Sequence, residues 1–231
     1  MFSALARLIR PGDVVYDVGS NIGLYTRFIL CVFGAGSVVA FEPMDENLRL
    51  LRKNISAGRL DDRVQVIPVA LSDSDGTEEF QLDDVSSASA TLSRVSFGEA
   101  CEARKQYGLA PLTTQVVAKS LDGLMEKENL APPAVMKIDI EGAEVLMLCG
   151  AQQILTKYKP RLAIELHGIE CARAVVHLLV ERGYHCYGSL ARNGVVAYQK
   201  VGLAEVKDLR NRYDVHHLFA SCDEADVCSL A

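Results

Sequence analysis

The chain has 231 residues, enough for one domain with a substantial core, and its 49% hydrophobic and 23% charged content excludes a chain disordered throughout. Lys and Arg number 24 against 30 Asp and Glu, and the net charge of −6 supplies no long-range attraction to nucleic acid or anionic membrane. No run reaches the roughly 18 to 20 apolar residues of a membrane span, and the opening MFSALARLIRPGD has no secretory h-region, so a cytoplasmic protein without a membrane span is expected.

Along the chain, DVVYDV predicts a strand, GSNIG a tight turn, and LYTRFILCVF a helix. A second strand, SVVAFEP, follows the Gly34-Ala35-Gly36 break, and a helical pattern then runs from Pro43 through Asn54. VQVIPVALS, residues 64–72, reads as a third strand kinked at Pro68. After DSDG and a candidate strand TEEFQL the rhythm weakens, and 83–111 is expected to be a substrate-side insertion or lid, with Ser86, Ser87, Ser89 and Arg94 as polar candidates. A strand-helix unit covers TTQVVAKSLDGLMEKENL, AVMKIDIE is a strand leading into a helix AEVLMLCGAQQILTKY, and RLAIELH is the next strand. GIECARAVVHLLVERG then supplies a helix, and HCYGSL, VVAYQK and VHHLFA are terminal strand candidates. The pattern predicts one α/β domain over 1–231, a doubly wound and mostly parallel sheet with a hairpin-like end. The seven cysteines form no CxxC pair, and Cys31, Cys149 and Cys171 are expected as small core residues.

The turn after the first strand places Gly19 and Gly23 around Asn21, a spacing unlike GxGxxG or a phosphate-binding P-loop. Missing Cβ atoms there open space for a ligand, and Asp17 and Glu42 end the first two strands. Glu42 is suited to ribose hydroxyls and Asp17 to a cationic group; helix capping by Asp17 and an exposed Glu42 are the structural alternative.

In KIDIEG, Lys137, Asp139 and Glu141 alternate with isoleucines, which on a continuous strand turns all three to one face, and Glu165 and His167 repeat the period in IELH. Such a cluster can orient a hydroxyl and remove its proton: His167 is the preferred base, Asp139 the second candidate, Lys137 a charge stabiliser and Glu141 a substrate contact or helix cap. Glu144 is placed on the following helix, outside the cluster, and His216 and His217 are read as structural. Carboxylates and imidazole also suit a divalent cation, but the spacing imposes no ligand geometry and no metal is assigned.

Through VYDVGSNIGLYT, FEPMDENLRLLRKN, VALSDSDG, KIDIEGAE and IELH the chain resembles the FkbM-type branch of the class I S-adenosylmethionine-dependent methyltransferases. The resemblance implies a seven-stranded Rossmann-like sheet with an antiparallel terminal strand. It implies S-adenosyl-L-methionine as cofactor, with Asp17, Gly19, Ser20, Asn21 and Gly23 around its methionine end, Glu42 at the ribose, and Ser72 and Asp73 near the adenine. Tyr25 and Thr26 would lie beside it, while Asn47 and Asn54 are read as helix-surface or capping residues. The implied activity is O-methylation of a sugar, glycan precursor or small secondary metabolite. N-methylation and a catalytically inactive cofactor-binding module stay open, and nothing in the sequence fixes an oligomeric state.

Overall fold

The computed structural model describes residues 1–82, 91–93, 112–192, 195–207 and 216–228. Apart from 91–93, the segment expected as a lid, with Ser86, Ser87, Ser89 and Arg94, lies outside the described residues, as does Cys101.

The parallel half of the sheet follows the predicted βα rhythm. Strand β1 (Val14–Val18) leads through α2 (Leu24–Cys31) to β2 (Ser37–Phe41), and α3 (Asp45–Ala57) connects β2 to β3 (Val64–Ile67), while α1 (Phe2–Leu8) precedes them all. Pro68 does more than kink a third strand. It has no N–H to donate to a ladder, and the chain leaves the edge strand β3 there to form β4 (Ala70–Ser72) in a different sheet. That smaller sheet has the order β4-β7-β5-β6, with β5 (Gly76–Leu82), β6 (Thr91–Leu92) and β7 (Leu112–Ser120).

From β7 the chain passes through α4 (Leu121–Lys127) to β8 (Val135–Ile138), then α5 (Glu144–Cys149), α6 (Gln152–Lys157), β9 (Arg161–Glu165) and α7 (Ile169–Val180). The end is antiparallel: β10 (His185–Arg192), β11 (Val195–Lys200), α8 (Leu203–Lys207), β12 (His217–Ser221) and α9 (Glu224–Cys228). The main sheet therefore has eight strands, in the order β11-β10-β12-β9-β8-β1-β2-β3, rather than seven. Its antiparallel part comprises three pairings, β12 on β9, β10 on β12 and β11 on β10, rather than one terminal strand. The difference arises because HCYGSL, VVAYQK and VHHLFA all join the sheet.

Alternation along β1 explains how helices cover both faces. Tyr16 and Val18 pack into one apolar cluster with residues of α4 to α8, and Val15 into the other with residues of α1, α2, α3 and α9. Strand order reverses between β1 and β8, which pair in parallel, so their C-terminal ends open the crevice expected of a doubly wound sheet. The six described cysteines are free thiols; Cys171 is buried, but Cys31 and Cys149 end helices on their exposed sides and contribute no core. Among the described residues no helix is long and apolar enough to cross a membrane.

Candidate active site

Two acidic strand ends organise the crevice in different ways. Glu42, only 5% exposed, is not a solvated strand end. Its carboxylate accepts hydrogen bonds from the backbone N–H of Asn21 (2.9 Å) and of Met44 (2.9 Å) and from Asn47 Nδ2 (3.2 Å), so it fastens the glycine turn to the start of α3. Burial pushes the Glu42 carboxyl above its ordinary range, against the lowering effect of those donors. Asn47 is thereby buried at the site and not on the helix surface, whereas Asn54 caps the turn by donating to the carbonyl of Ile22 at 2.8 Å.

Asp17 is fully buried and already partnered. Thr26 donates to its Oδ2 at 2.6 Å, and Lys137 Nζ lies 3.3 Å from its Oδ1. Lys137 is itself buried; it donates to the Gly19 carbonyl at 2.8 Å, stands 3.6 Å from Asp139 Oδ2, and lies 5.0 Å from the centroid of the Tyr25 ring. Although burial opposes its charge, Asp17 and Asp139 outweigh that effect and raise its pKa. The ammonium thus ties the end of β1 to the end of β8. Tyr25 also stacks on Phe2 with centroids 4.5 Å apart, and so belongs to the packing of α1 on α2.

The cleft holds about 560 Å³, its open mouth included. Gly19 and Asn21 border it from the first turn, Glu42, Met44 and Asn47 from the second, Val69 from the link into β4, Ala70, Leu71 and Phe80 from the small sheet, and Asp139 to Glu141 from the loop after β8. Ser20 is buried under the turn, where its hydroxyl donates to the Phe41 carbonyl at 3.2 Å, and Gly23 packs against Leu51. Ser72 and Asp73 follow directly on the cleft-lining Leu71, Ser72 being buried and Asp73 exposed.

Strand β8 stops at Ile138, so Asp139 and Glu141 are not on a continuous alternating face with Lys137. The loop still brings them together with His167, because Glu141 takes a left-handed backbone (φ +52°) before Gly142 (φ +101°). His167 Nε2 is 3.5 Å from Glu141 Oε2 and 4.0 Å from Asp139 Oδ1. These three residues offer ligand atoms within 4.8 Å of one another, the one described set that could hold a cation.

Glu144, placed outside the cluster by sequence, is at its centre. It is fully buried, and its Oε1 is 2.8 Å from His167 Nδ1. The signal was present in the helix pattern: α5 buries positions 144, 147 and 148, so a carboxylate occupies the apolar face. Burial disfavours the His167 imidazolium, but the hydrogen bond and charge of Glu144, with Glu141 and Asp139, hold its pKa up at about 9. Burial raises the Asp139 and Glu141 carboxyls, opposed by Lys137 and His167 respectively. One strand over, His217 Nε2 lies 3.5 Å from Glu165 Oε2 and draws the Glu165 pKa down. The chain therefore has acid-base groups and a lined cleft at the C-terminal ends of the central strands.

Comparison with known proteins agrees. A family model described as the methyltransferase FkbM domain matches residues 17–186. Over 199 residues the chain is 29% identical to the 31-O-demethyl-FK506 methyltransferase FkbM of Streptomyces tacrolimicus, covering 76% of this chain and 74% of that protein. It is 30% identical over 169 residues to the hexuronic acid methyltransferase AglP of Haloferax volcanii, covering 73% of this chain and 62% of that one. Among solved structures, an FkbM methyltransferase from Methylobacillus flagellatus KT superposes with a TM-score of 0.52 at 18% identity, over 92% of this chain and 45% of that chain. A putative methyltransferase from Streptococcus mutans, solved with S-adenosylhomocysteine, gives 0.52 at 13% identity over 95% and 94%. The last two likenesses speak for the fold; the family model, spanning the crevice from Asp17 to the far side of the sheet, establishes that the chain belongs to the FkbM family of S-adenosylmethionine-dependent methyltransferases.

Proposed function

We propose that the chain methylates a hydroxyl group of a sugar, glycan precursor or small secondary metabolite, with His167 as the base. The observation that carries this reading is the placement of His167 Nε2 beside Asp139 and Glu141, where the loop after β8 borders the cleft. The relatives support it, one by a name that specifies an oxygen and the other by a name that specifies a hexuronic acid.

The residues present fit the family's cofactor. Glu42 is held rigidly by three donors, and a carboxylate with about four acceptor positions keeps one, on Oε2, for a ribose hydroxyl. Val69, Leu71 and Phe80 give the cleft an apolar wall suited to a base face. Gly19, Asn21 and Asp139 would border the methionine end, with Asp17, Ser20 and Gly23 shaping the turn from behind. When bound, S-adenosylmethionine supplies an electrophilic methyl group, and transfer to oxygen leaves the carbon–sulfur electron pair on a neutral thioether.

The chain's own part is orientation and proton removal. Asp139 and Glu141 can accept hydrogen bonds from acceptor hydroxyls, and His167 Nε2 takes the proton of the reacting one. Lys137 fixes Asp139 relative to the glycine turn, so the two halves of the cleft keep their spacing.

The test uses isotopically labelled S-adenosylmethionine with a panel of hydroxyl acceptors that includes hexuronic acid glycosides and macrocyclic alcohols. A labelled ether product is expected. H167A should lose on the order of 10²-fold or more in turnover while binding S-adenosylhomocysteine normally. Unchanged turnover in H167A, with chemistry rate-limiting, eliminates His167 as the base. Labelled amines instead of ethers establish N-methylation, and binding without turnover establishes a non-catalytic module.

A further inference from the structure

A carboxylate that is completely buried on the apolar face of a short helix needs a reason, because burying a charge without partners is costly. Glu144 has three partners. Its Oε1 accepts from the Gly142 N–H at 3.1 Å and meets His167 Nδ1 at 2.8 Å, while Cys171 Sγ donates to Oε2 at 3.1 Å. Burial and the neighbouring carboxylate push the Cys171 thiol up, so it keeps its proton and remains a donor. Two of the three partners satisfy the carboxylate without involving the imidazole; the third fixes the ring. A carboxylate can only accept, so Nδ1 must carry the proton at that contact, and in a neutral ring the lone pair is then on Nε2. Nε2 is the nitrogen that faces Asp139 and Glu141.

Resting on the assignment of His167 as the base, we propose that Glu144 is a positioning residue that fixes the ring and tautomer of His167, so that Nε2 is the atom that accepts the proton of the methyl acceptor. The proton moves from the acceptor hydroxyl to Nε2, and the imidazolium formed is held between the buried Glu144 and the half-buried Asp139 and Glu141. The logic is that of a carboxylate-imidazole pair in which the buried acid never takes the proton.

The charged groups around His167 come from several elements. Glu144 belongs to α5 and Cys171 to α7; Asp139 and Glu141 lie in the loop after β8. Glu165 on β9 is within electrostatic range, paired with His217 on β12, and Lys137 on β8 stands behind Asp139. Removing the Glu144 charge leaves these in place, which makes E144Q informative. Gly142 and Nδ1 share Oε1, so the glutamine oxygen at that position still accepts from both while its amide turns to Cys171, and E144Q keeps the contact that sets the tautomer but removes the charge that stabilises the imidazolium.

The experiment follows the imidazole nitrogens of His167 by ¹⁵N NMR in the ligand-free protein and measures the pH-rate profile with an acceptor from the labelled assay. In the native chain the neutral ring should carry its proton on Nδ1, and the ring should titrate near pH 9. In E144Q the titration should move down while the neutral ring keeps its proton on Nδ1, whereas E144L, which removes the acceptor, should lose the preference for Nδ1 as well. Turnover should fall in both, by about 10²-fold or more in E144L, the acid limb of the E144Q profile should move down with the titration, and affinity for S-adenosylhomocysteine should stay the same. Glu144→Asp, which retains the charge on a shorter arm, should restore most of the high titration point.

A native ring protonated on Nε2 when neutral overturns the proposal without any variant, so a misfolded E144Q does not protect it. An unshifted titration in a folded E144Q overturns it too. If the titration moves and the acid limb does not, the assignment of His167 as the base fails, which separates that failure from the failure of the Glu144 contact. Mn²⁺ alone binding to the native protein, lost in D139N and broadening the Nε2 resonance, would also overturn it by making Nε2 a metal ligand.

Discussion

Gly19 has a backbone φ of +73°, and a methyl group there would lie 1.9 Å from the carbonyl oxygen of Asp139. The glycine is therefore required by a contact between two turns of the protein, in addition to any close approach by a ligand. Its N–H donates to the Phe41 carbonyl at 3.1 Å and its own carbonyl receives Lys137, so the turn cannot yield without moving β2 or the buried ammonium. G19A should consequently lose about 1–3 kcal/mol of stability and also weaken S-adenosylhomocysteine binding, because Asp139 borders the cleft. Urea unfolding with ligand titration checks both effects; native values for the two would show that the turns can separate freely. The GSNIG spacing announces a special turn, but only the packed structure reveals that its first glycine faces Asp139. Glu144 illustrates the same limit, since its position on the helix was legible and its partner His167, two elements away, was not.

At the scale of elements, the stretch read as one helix from Ala143 to Tyr158 divides into α5 and α6 at Gly150, where a Cβ would meet the Ser72 carbonyl oxygen at 2.0 Å. The break exposes the start of α6, whose preceding Ala151 has no side chain capable of capping it. Asp122, on α4, supplies the cap from outside: its carboxylate accepts from the N–H of Gln153 at 2.8 Å and of Ile154 at 3.0 Å. D122A should therefore cost about 1 kcal/mol, with D122N recovering part of it and cofactor affinity unchanged, since Asp122 does not line the cleft. A stability loss below a few tenths of a kcal/mol in chemical denaturation would show that α6 depends little on this cap. Hydrophobic period and turn residues were sufficient to locate β1, β2, β8 and β9 and the helices α2 and α3 that follow the first two, because those strands are covered on both faces. They could not show that Pro68 transfers the chain to a second sheet, or that a cap arrives from 31 positions away, because pairing partners are a property of the assembled fold.

For the whole molecule, the decisive arrangement is that the cleft is built by both sheets. The main sheet contributes the turns after β1, β2 and β8, while β4 and Phe80 of β5 contribute the opposite wall. A ligand that fills the space contacts both, so its binding energy acts on the junction between them as well as on the glycine turn. A ligand selective for the folded state stabilises it by about 2.7 kcal/mol at a hundredfold excess over its dissociation constant. Local openings that separate the sheets should be suppressed by the same linkage, whereas fraying remote from the cleft should not. Hydrogen exchange with and without S-adenosylhomocysteine distinguishes these cases. Amides of 70–72 and 79–81 should gain protection together with those of 19–23 and 42–47, while the β10–β11 hairpin, at the far edge of the sheet, should change little. Protection confined to 19–23 and 42–47 would mean that the ligand sits on the main sheet alone. The small sheet would then be a neighbour of the site rather than one of its walls.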